Sequence, residues 1–282
     1  MQSLRSNESV NCYNESKKIT GGSSMKIERV AFFDIDGTLF DSSKYHLPIE
    51  QKVPESTYLA IEKLKANGVL PIIATGRWKN RAQDLGDLLK IDSFITSNGQ
   101  AVHIENDLVY QNYIDQALVE RTIDEMRSRD VPGFFDTKKG LHLLPNVFHA
   151  RDYGEPFKIV DDSEYPEHVL QMLVTTENIR TVSDWLTELK VVQTGPTHLD
   201  IYPFDVSKAN GIDRVLEILN MDISQTYAFG DADNDLEMLA KVGTSVAMGN
   251  GTDNVKKTAD IITSEVWNDG IYKACEQLGL FD

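Results

Sequence analysis

The chain has 282 residues, 41% hydrophobic and 26% charged, the balance of a soluble globular protein with room for one large domain or two ordinary ones. Its formal charge of −16 excludes nonspecific binding to nucleic acid or to an anionic membrane, because both need basic surface. Cys12 and Cys275 lie far apart with no CxxC, which excludes a disulfide framework or thiolate zinc site, and no apolar run approaches the roughly 18 residues of a membrane span; a reducing cytoplasm is the expected compartment.

Residues 1 to 24 are polar and read as a disordered extension, with Met25 as a candidate start. Val30-Ala31-Phe32-Phe33 follows, a continuous apolar run ending abruptly in acids, the pattern of a strand buried on both faces. Pro54 to Asn67 carries apolar residues at Tyr58, Ile61 and Leu64 with Gly68 behind, an amphipathic helix with its stop signal. Val69 to Ala74 is a second buried strand, so strand, helix and strand form a parallel βαβ unit. Lys79 to Lys90 reads as a helix, Ser93 to Thr96 as a strand, and Ser97-Asn98-Gly99 as a turn. From His103 to Val192 the rhythm changes. A hairpin turning at Asn106-Asp107, a helix over Asp115 to Arg129, several short strands and a helix near Glu177 to Leu189 indicate an inserted α+β domain. The first pattern then returns, with a helix from Lys208, a strand over Thr226 to Phe229, a helix over Asn234 to Lys241, strands at Thr244 to Met248 and Asp260 to Thr263, and a closing helix from Gly270.

Four polar elements stand at strand ends or a helix start: Asp34/Asp36, Thr75-Gly76, Lys208, and Gly230-Asp231-Ala232-Asp233-Asn234-Asp235. Ligands of open parallel α/β sheets bind at the carboxyl ends of the strands. Asp34 and Asp36 are two apart, so extended backbone sends both carboxylates to one side, where they require a cation or a retained proton. Asp34, Asp36 and Asp231 are hard oxygen ligands suited to Mg²⁺, while Thr75, the Gly76 amide and Lys208 can donate to a phosphate. Asp34 is the candidate nucleophile, since an aspartate can form an acyl-phosphate; Asp36 beside it is the candidate proton donor and acceptor.

These segments resemble the haloacid dehalogenase superfamily of aspartate-nucleophile phosphatases, specifically the Cof-type branch with a C2B cap. The matching runs are Asp34-Ile35-Asp36-Gly37-Thr38-Leu39, Ala74-Thr75-Gly76-Arg77, Val206-Ser207-Lys208 and Gly230 to Leu239, in the family's order. The resemblance implies a Rossmann-like doubly wound parallel-sheet core with Asp34 as nucleophile and Asp36 as general acid/base. It implies Mg²⁺ held by the Asp34 carboxylate, the Asp36 carbonyl and Asp231, supported by Asn234 and Asp235. It implies phosphate held by the Ile35 backbone, Thr75, Gly76, Lys208 and Asn234. The implied substrate is a small phosphorylated metabolite such as a sugar phosphate, nucleotide or vitamin phosphate. Two features depart from the pattern: Lys208-Ala209-Asn210-Gly211 replaces Lys-Gly, and Phe204-Asp205 replaces small or basic residues.

Competing readings are weaker. The 231–242 acids fail as a calcium loop, with Leu236 at the sixth position and Val242 at the twelfth. Gly249-Asn250-Gly251 lacks the third glycine of a dinucleotide fingerprint and reads as a loop near the site. His103, His142, His149 and His198 show no metal-ligand spacing. Arg77, Trp78, Asn98 and Gly99 are possible substrate contacts. The expectation is a catalytic core over 25–102 and 193–282 with a substrate-selecting cap over 103–192, acting as a Mg²⁺-dependent phosphatase. A sugar phosphomutase is one alternative, needing a second phosphate site for which Arg121, Arg127, Arg129 and Arg151 are available; a noncatalytic binding protein is the other.

Overall fold

The computed structural model describes residues 10–11, 26–146, 157–161, 163–176, 179–194 and 197–281. The expected disordered extension therefore lies outside the described residues except for Val10–Asn11, a two-residue strand, β1. Met25, Cys12, His149 and Arg151 lie outside them as well.

The first acid-tipped strand is β2 (Arg29–Phe33), in which Val30 to Phe33 are fully buried. Burial on both faces is why its sequence shows no alternation. A short helix α1 (Ile49–Lys52), absent from the sequence reading, precedes α2 (Glu55–Ala66), which buries Thr57, Ala60, Ile61 and Leu64 at helical spacing. Then come β3 (Val69–Ala74), α3 (Lys79–Leu89), β4 (Phe94–Thr96), β5 (Ala101–Ile104) and β6 (Asp107–Gln111). The middle of the chain supplies α4 (Gln116–Ser128), β7 (Gly133–Thr137), β8 (Gly140–Leu143), β9 (Phe157–Ile159), β10 (Val169–Thr175), α5 (Ile179–Trp185), β11 (Lys190–Gln193) and β12 (His198–Tyr202). The last part holds α6 (Lys208–Leu219), β13 (Thr226–Gly230), α7 (Leu236–Lys241), β14 (Thr244–Ala247), α8 (Asp253–Thr258), β15 (Ile261–Ile262) and α9 (Gly270–Gln277).

A nine-stranded sheet has the order β1-β6-β5-β4-β3-β2-β13-β14-β15. Its run from β4 through β3, β2, β13 and β14 to β15 is parallel throughout, the Rossmann-like core. From β2 the chain moves outward through β3 and β4, then returns to β13 beside β2 and moves the other way. The reversal between β2 and β13 opens a crevice at the carboxyl ends of these two strands. Phe33 pairs with Phe229 there, with rings stacked 4.6 Å apart, and the Asp34 amide donates to the Phe229 carbonyl at 3.0 Å. Full burial of side chains such as Phe32, Phe33 and Phe229 contributes about 1.5–3 kcal/mol each, and it fixes the two strand ends side by side.

The chain falls into two compact units, one of Tyr110–Val206 with Val10–Asn11, the other of the described residues in Cys12–Val109 and Ser207–Asp282. These boundaries fall later than 103 and 192. The β5–β6 hairpin extends the large sheet antiparallel to β4, and β11 pairs with β12 in a separate sheet of order β11-β12-β10-β7-β8-β9. In that smaller α+β unit, Val119, Ile123 and Met126 of α4 share a core with Phe135, Met172 and Ile201 of the strands.

Candidate active site

Extended backbone in β2 stops at Phe33, and Asp36 lies within a turn whose hub is the Ile35 carbonyl, which accepts from the amides of Thr38, Leu39 and Phe40. Strand alternation therefore does not set the relation between Asp34 and Asp36, as the two-residue spacing suggested. Asp34 is buried, whereas half of the Asp36 side chain is exposed. Arg77 grips both Asp36 oxygens, Nε at 3.0 Å and a terminal nitrogen at 2.7 Å, with its guanidinium over the Phe40 ring. The carboxylates that do converge are those of Asp34, Asp231 and Asp235, with ligand oxygens all within 4.8 Å of one another.

One ammonium serves this cluster. Lys208, the first residue of α6 and 1% exposed, donates to Asp34 Oδ1 at 2.5 Å and to Asp235 Oδ1 at 2.6 Å. The Ala209-Asn210 departure leaves the helix start in place, with Ser207 Oγ donating to Asn210 Oδ1 at 2.9 Å. Asp235 turns its other oxygen to the amides of Asp231 and Ala232, at 3.0 and 3.1 Å, which shapes the acid loop after β13. Thr38 Oγ1 donates to Asp231 Oδ1 at 2.9 Å. Gly37 is required beside it: at φ +90°, a Cβ would lie 2.3 Å from an Asp231 oxygen.

The electrostatics follow from this crowding. Burial first, and then the Asp235 charge, push the Asp34 carboxyl well above the usual carboxylate range; Lys208 opposes this, while Asp231 and Asp36 add to it. Burial and Asp235 likewise push Asp231 up to about 7, against the Thr38 hydrogen bond and Lys208. For Lys208 burial works against the charge, but Asp235 and Asp34 outweigh it and hold the ammonium above its ordinary value. With their protons displaced, the three carboxylates against one ammonium carry a surplus of two negative charges. A divalent cation balances that surplus, and an all-oxygen donor set suits a hard ion.

The other candidate positions gather around the same strand ends. Thr75, buried after β3, accepts from the Arg77 amide at its hydroxyl, 3.1 Å, and from the Asn98 amide at its carbonyl, 3.2 Å. Gly76 is half-buried and Trp78 is buried. Ser97, Asn98 and Gly99 all have positive φ, and the Ser97 amide donates to the Arg77 carbonyl at 3.0 Å. A Cβ on Gly99 would lie 2.1 Å from the Ser207 carbonyl, so this strained turn braces both the Thr75 loop and the start of α6. Asn234 is half-buried in the acid loop. Asp233 accepts from Thr252 Oγ1 and Asn254 Nδ2, 2.7 and 3.1 Å, at the start of α8. Asn250, passed over in sequence as part of a glycine-flanked loop, reaches the Gly37 carbonyl at 2.8 Å.

In the smaller unit the arginines considered for a second phosphate are engaged locally. Arg121 pairs with Glu188, Arg129 with Glu125, and Arg127 donates to the carbonyls of Asp161 and Glu164. Nothing among the described residues brings them together as a phosphate site.

The family model described as haloacid dehalogenase-like hydrolase matches residues 31–275. The chain belongs to this family. The Bacillus subtilis (strain 168) protein named "Putative phosphatase YkrA" is 35% identical over 263 residues, covering 89% of this chain and 98% of the relative. The same organism's 5-amino-6-(5-phospho-D-ribitylamino)uracil phosphatase YcsE is 28% identical over 246 residues, 86% of this chain and 92% of the relative. Among solved structures, the subclass IIB sugar phosphatase BT4131 superposes with a TM-score of 0.75 at 27% identity, covering 90% of this chain and all of that one. This haloacid dehalogenase-like chain is a phosphatase, and subclass IIB agrees with the Cof-type resemblance. No helix among the described residues is long and apolar enough to cross a membrane.

Proposed function

We propose that this phosphatase hydrolyses a small phosphorylated metabolite in the cytoplasm, with Mg²⁺ as cofactor and a phosphoenzyme formed on Asp34. The observation that supports this reading most is the convergence of Asp34, Asp231 and Asp235 on the buried Lys208 ammonium at the reversal of strand order. Asp34, Asp231 and the Asp36 carbonyl would hold the ion, with Asp235 and Asn234 in support. When bound, the ion supplies positive charge against the acids and the phosphoryl oxygens.

Lys208, Thr75, Asn234 and the amides of Ile35 and Gly76 hold the phosphate oxygens, placing phosphorus in line with an Asp34 oxygen. That oxygen forms a bond to phosphorus while the ester oxygen leaves with a proton from Asp36. Water then attacks the phosphoenzyme as Asp36 takes back a proton, and inorganic phosphate departs. Arg77 holds both Asp36 oxygens at rest, so proton transfer requires at least one of those bonds to open. The smaller unit acts as the substrate-selecting cap in this reading. The names of YcsE and BT4131, a phosphorylated ribityl compound and a sugar phosphatase, support the substrate class.

The test is acid quenching during turnover of a phosphate ester with Mg²⁺, followed by peptide mass spectrometry. A phosphate on the Asp34 peptide, lost on Asp34→Asn or with EDTA, is the expected result. Phosphate on another residue, or turnover that survives Asp34→Asn, contradicts it.

A further inference from the structure

The loop after β14 holds the two acid-bearing turns from behind, through residues with no role in the chemistry above. Asn250 is a two-ended contact. Its Nδ2 donates to the Gly37 carbonyl at 2.8 Å, and its Oδ1 accepts from the Val266 amide at 2.8 Å. Val266 is 2% exposed and belongs to the main hydrophobic core, so that end is fixed. Gly37 follows Asp36 directly, and its α-carbon leaves no room for a side chain beside Asp231. Two residues beyond Asn250, the Thr252 amide donates to the Asp231 carbonyl at 2.8 Å. The same short loop therefore holds the backbone of both turns, across a sequence separation of 213 residues for Asn250 and Gly37.

We infer that Asn250 is a positioning residue that fixes the Asp36-Gly37 turn against Asp231 by tying the Gly37 carbonyl to the core-anchored Val266 amide. The inference rests on the phosphatase reading above. A displacement of about 1 Å at a site of this kind costs up to about a hundredfold in rate, so the contact acts on turnover more than on substrate binding.

Two variants separate positioning from folding. Asn250→Ala removes both contacts. Asn250→Asp keeps an acceptor for the Val266 amide but replaces the donor with an oxygen that repels the Gly37 carbonyl. The expected result for Asn250→Asp is a near-wild-type melting temperature, KM within about twofold, and kcat lower by about ten- to a hundredfold. A merely structural Asn250 predicts instead that Asn250→Asp recovers wild-type kcat along with stability, and that result overturns the inference. The second readout is the Mg²⁺ concentration giving half of the ion-induced rise in melting temperature, expected to shift by about tenfold in Asn250→Ala, as for partners one shell behind a metal. If the wild type releases no phosphate from any ester, the phosphatase reading fails by itself. The positioning role is then decided on the Mg²⁺ midpoint, and an unchanged midpoint overturns it.

Discussion

The two units of this chain handle charge in opposite ways. In the larger unit, Lys208, Asp34 and Asp235 are almost wholly excluded from solvent, and Lys208 lies within hydrogen-bonding distance of both acids. In the smaller unit the arginine–glutamate pairs stand at the surface, Arg121 with Glu188 and Arg129 with Glu125, each partner about half exposed or more. A surface pair gains little over hydration, whereas a buried set must be compensated within itself. In the proposed mechanism, charge held dry at such a cost marks where the chemistry is done. The surface pairs of the smaller unit are ordinary solvated contacts.

The strongest way to break this comparison is to remove the buried Lys208 ammonium. Lys208→Met leaves Asp34 and Asp235 uncompensated, and is expected to destabilise the ion-free protein by about 3–5 kcal/mol, measured by urea unfolding in EDTA. Phosphate release should be lost with it. A change near zero would mean that the cluster is protonated and neutral without the lysine.

Next in size is the coupling of protons to the ion. Asp231 sits at about 7 and Asp34 well above its ordinary value, so the ion-free folded state retains protons that the unfolded chain releases near 3.8. The folded state then binds more protons than the unfolded one, and stability in EDTA should fall as pH rises from about 4 through 7. Mg²⁺ has to displace those protons, so its half-saturating concentration should rise by at least about tenfold for each pH unit below 7, one factor of ten per proton displaced. Thermal shifts in Mg²⁺ titrations at several pH values measure this, and a flat midpoint would remove Asp231 from the ligand set.

His103 in β5 provides a smaller effect of opposite sign. Burial, and then the Lys79 charge, hold its imidazole at about 4, against 6.5 in the unfolded chain. Below 6.5 the unfolded state gains a proton that the folded state refuses, so this contribution to stability is complete above 6.5 and is lost as pH falls toward 4. His103→Gln should remove about 2 kcal/mol of the difference between pH 6.5 and 5, read by denaturation of both proteins in EDTA. The smallest effect belongs to the smaller unit's surface. Arg121→Ala should change stability by less than about 1 kcal/mol and leave phosphate release unchanged.

The same contrast explains what was legible in the sequence. Asp34, Thr75, Lys208 and Asp231 could be found because each follows a buried strand or opens a helix, and the apolar run that positions the group announces it. The parallel core was readable for the same reason. The β5–β6 hairpin alternates like any hairpin, and nothing local states that it joins the large sheet instead of the insertion. The short helices α1 and α8, of four and six residues, carry too few turns for a periodic signal. Asn250 was invisible as a partner of Gly37, since a contact across 213 residues leaves no spacing to recognise. The bidentate hold of Arg77 on the half-exposed Asp36 depends on the turn at Ile35 and not on the two-residue spacing.

The central claim is that Asp34 carries the phosphoryl group. Its most direct test is steady-state phosphate release from sugar, nucleotide and vitamin phosphates, with Mg²⁺ or EDTA, by the wild type and Asp34→Asn. The account predicts ion-dependent release that falls by about 10⁴-fold or more in the variant, as when a nucleophile is removed. Release that persists in Asp34→Asn, or that is indifferent to EDTA, would contradict it.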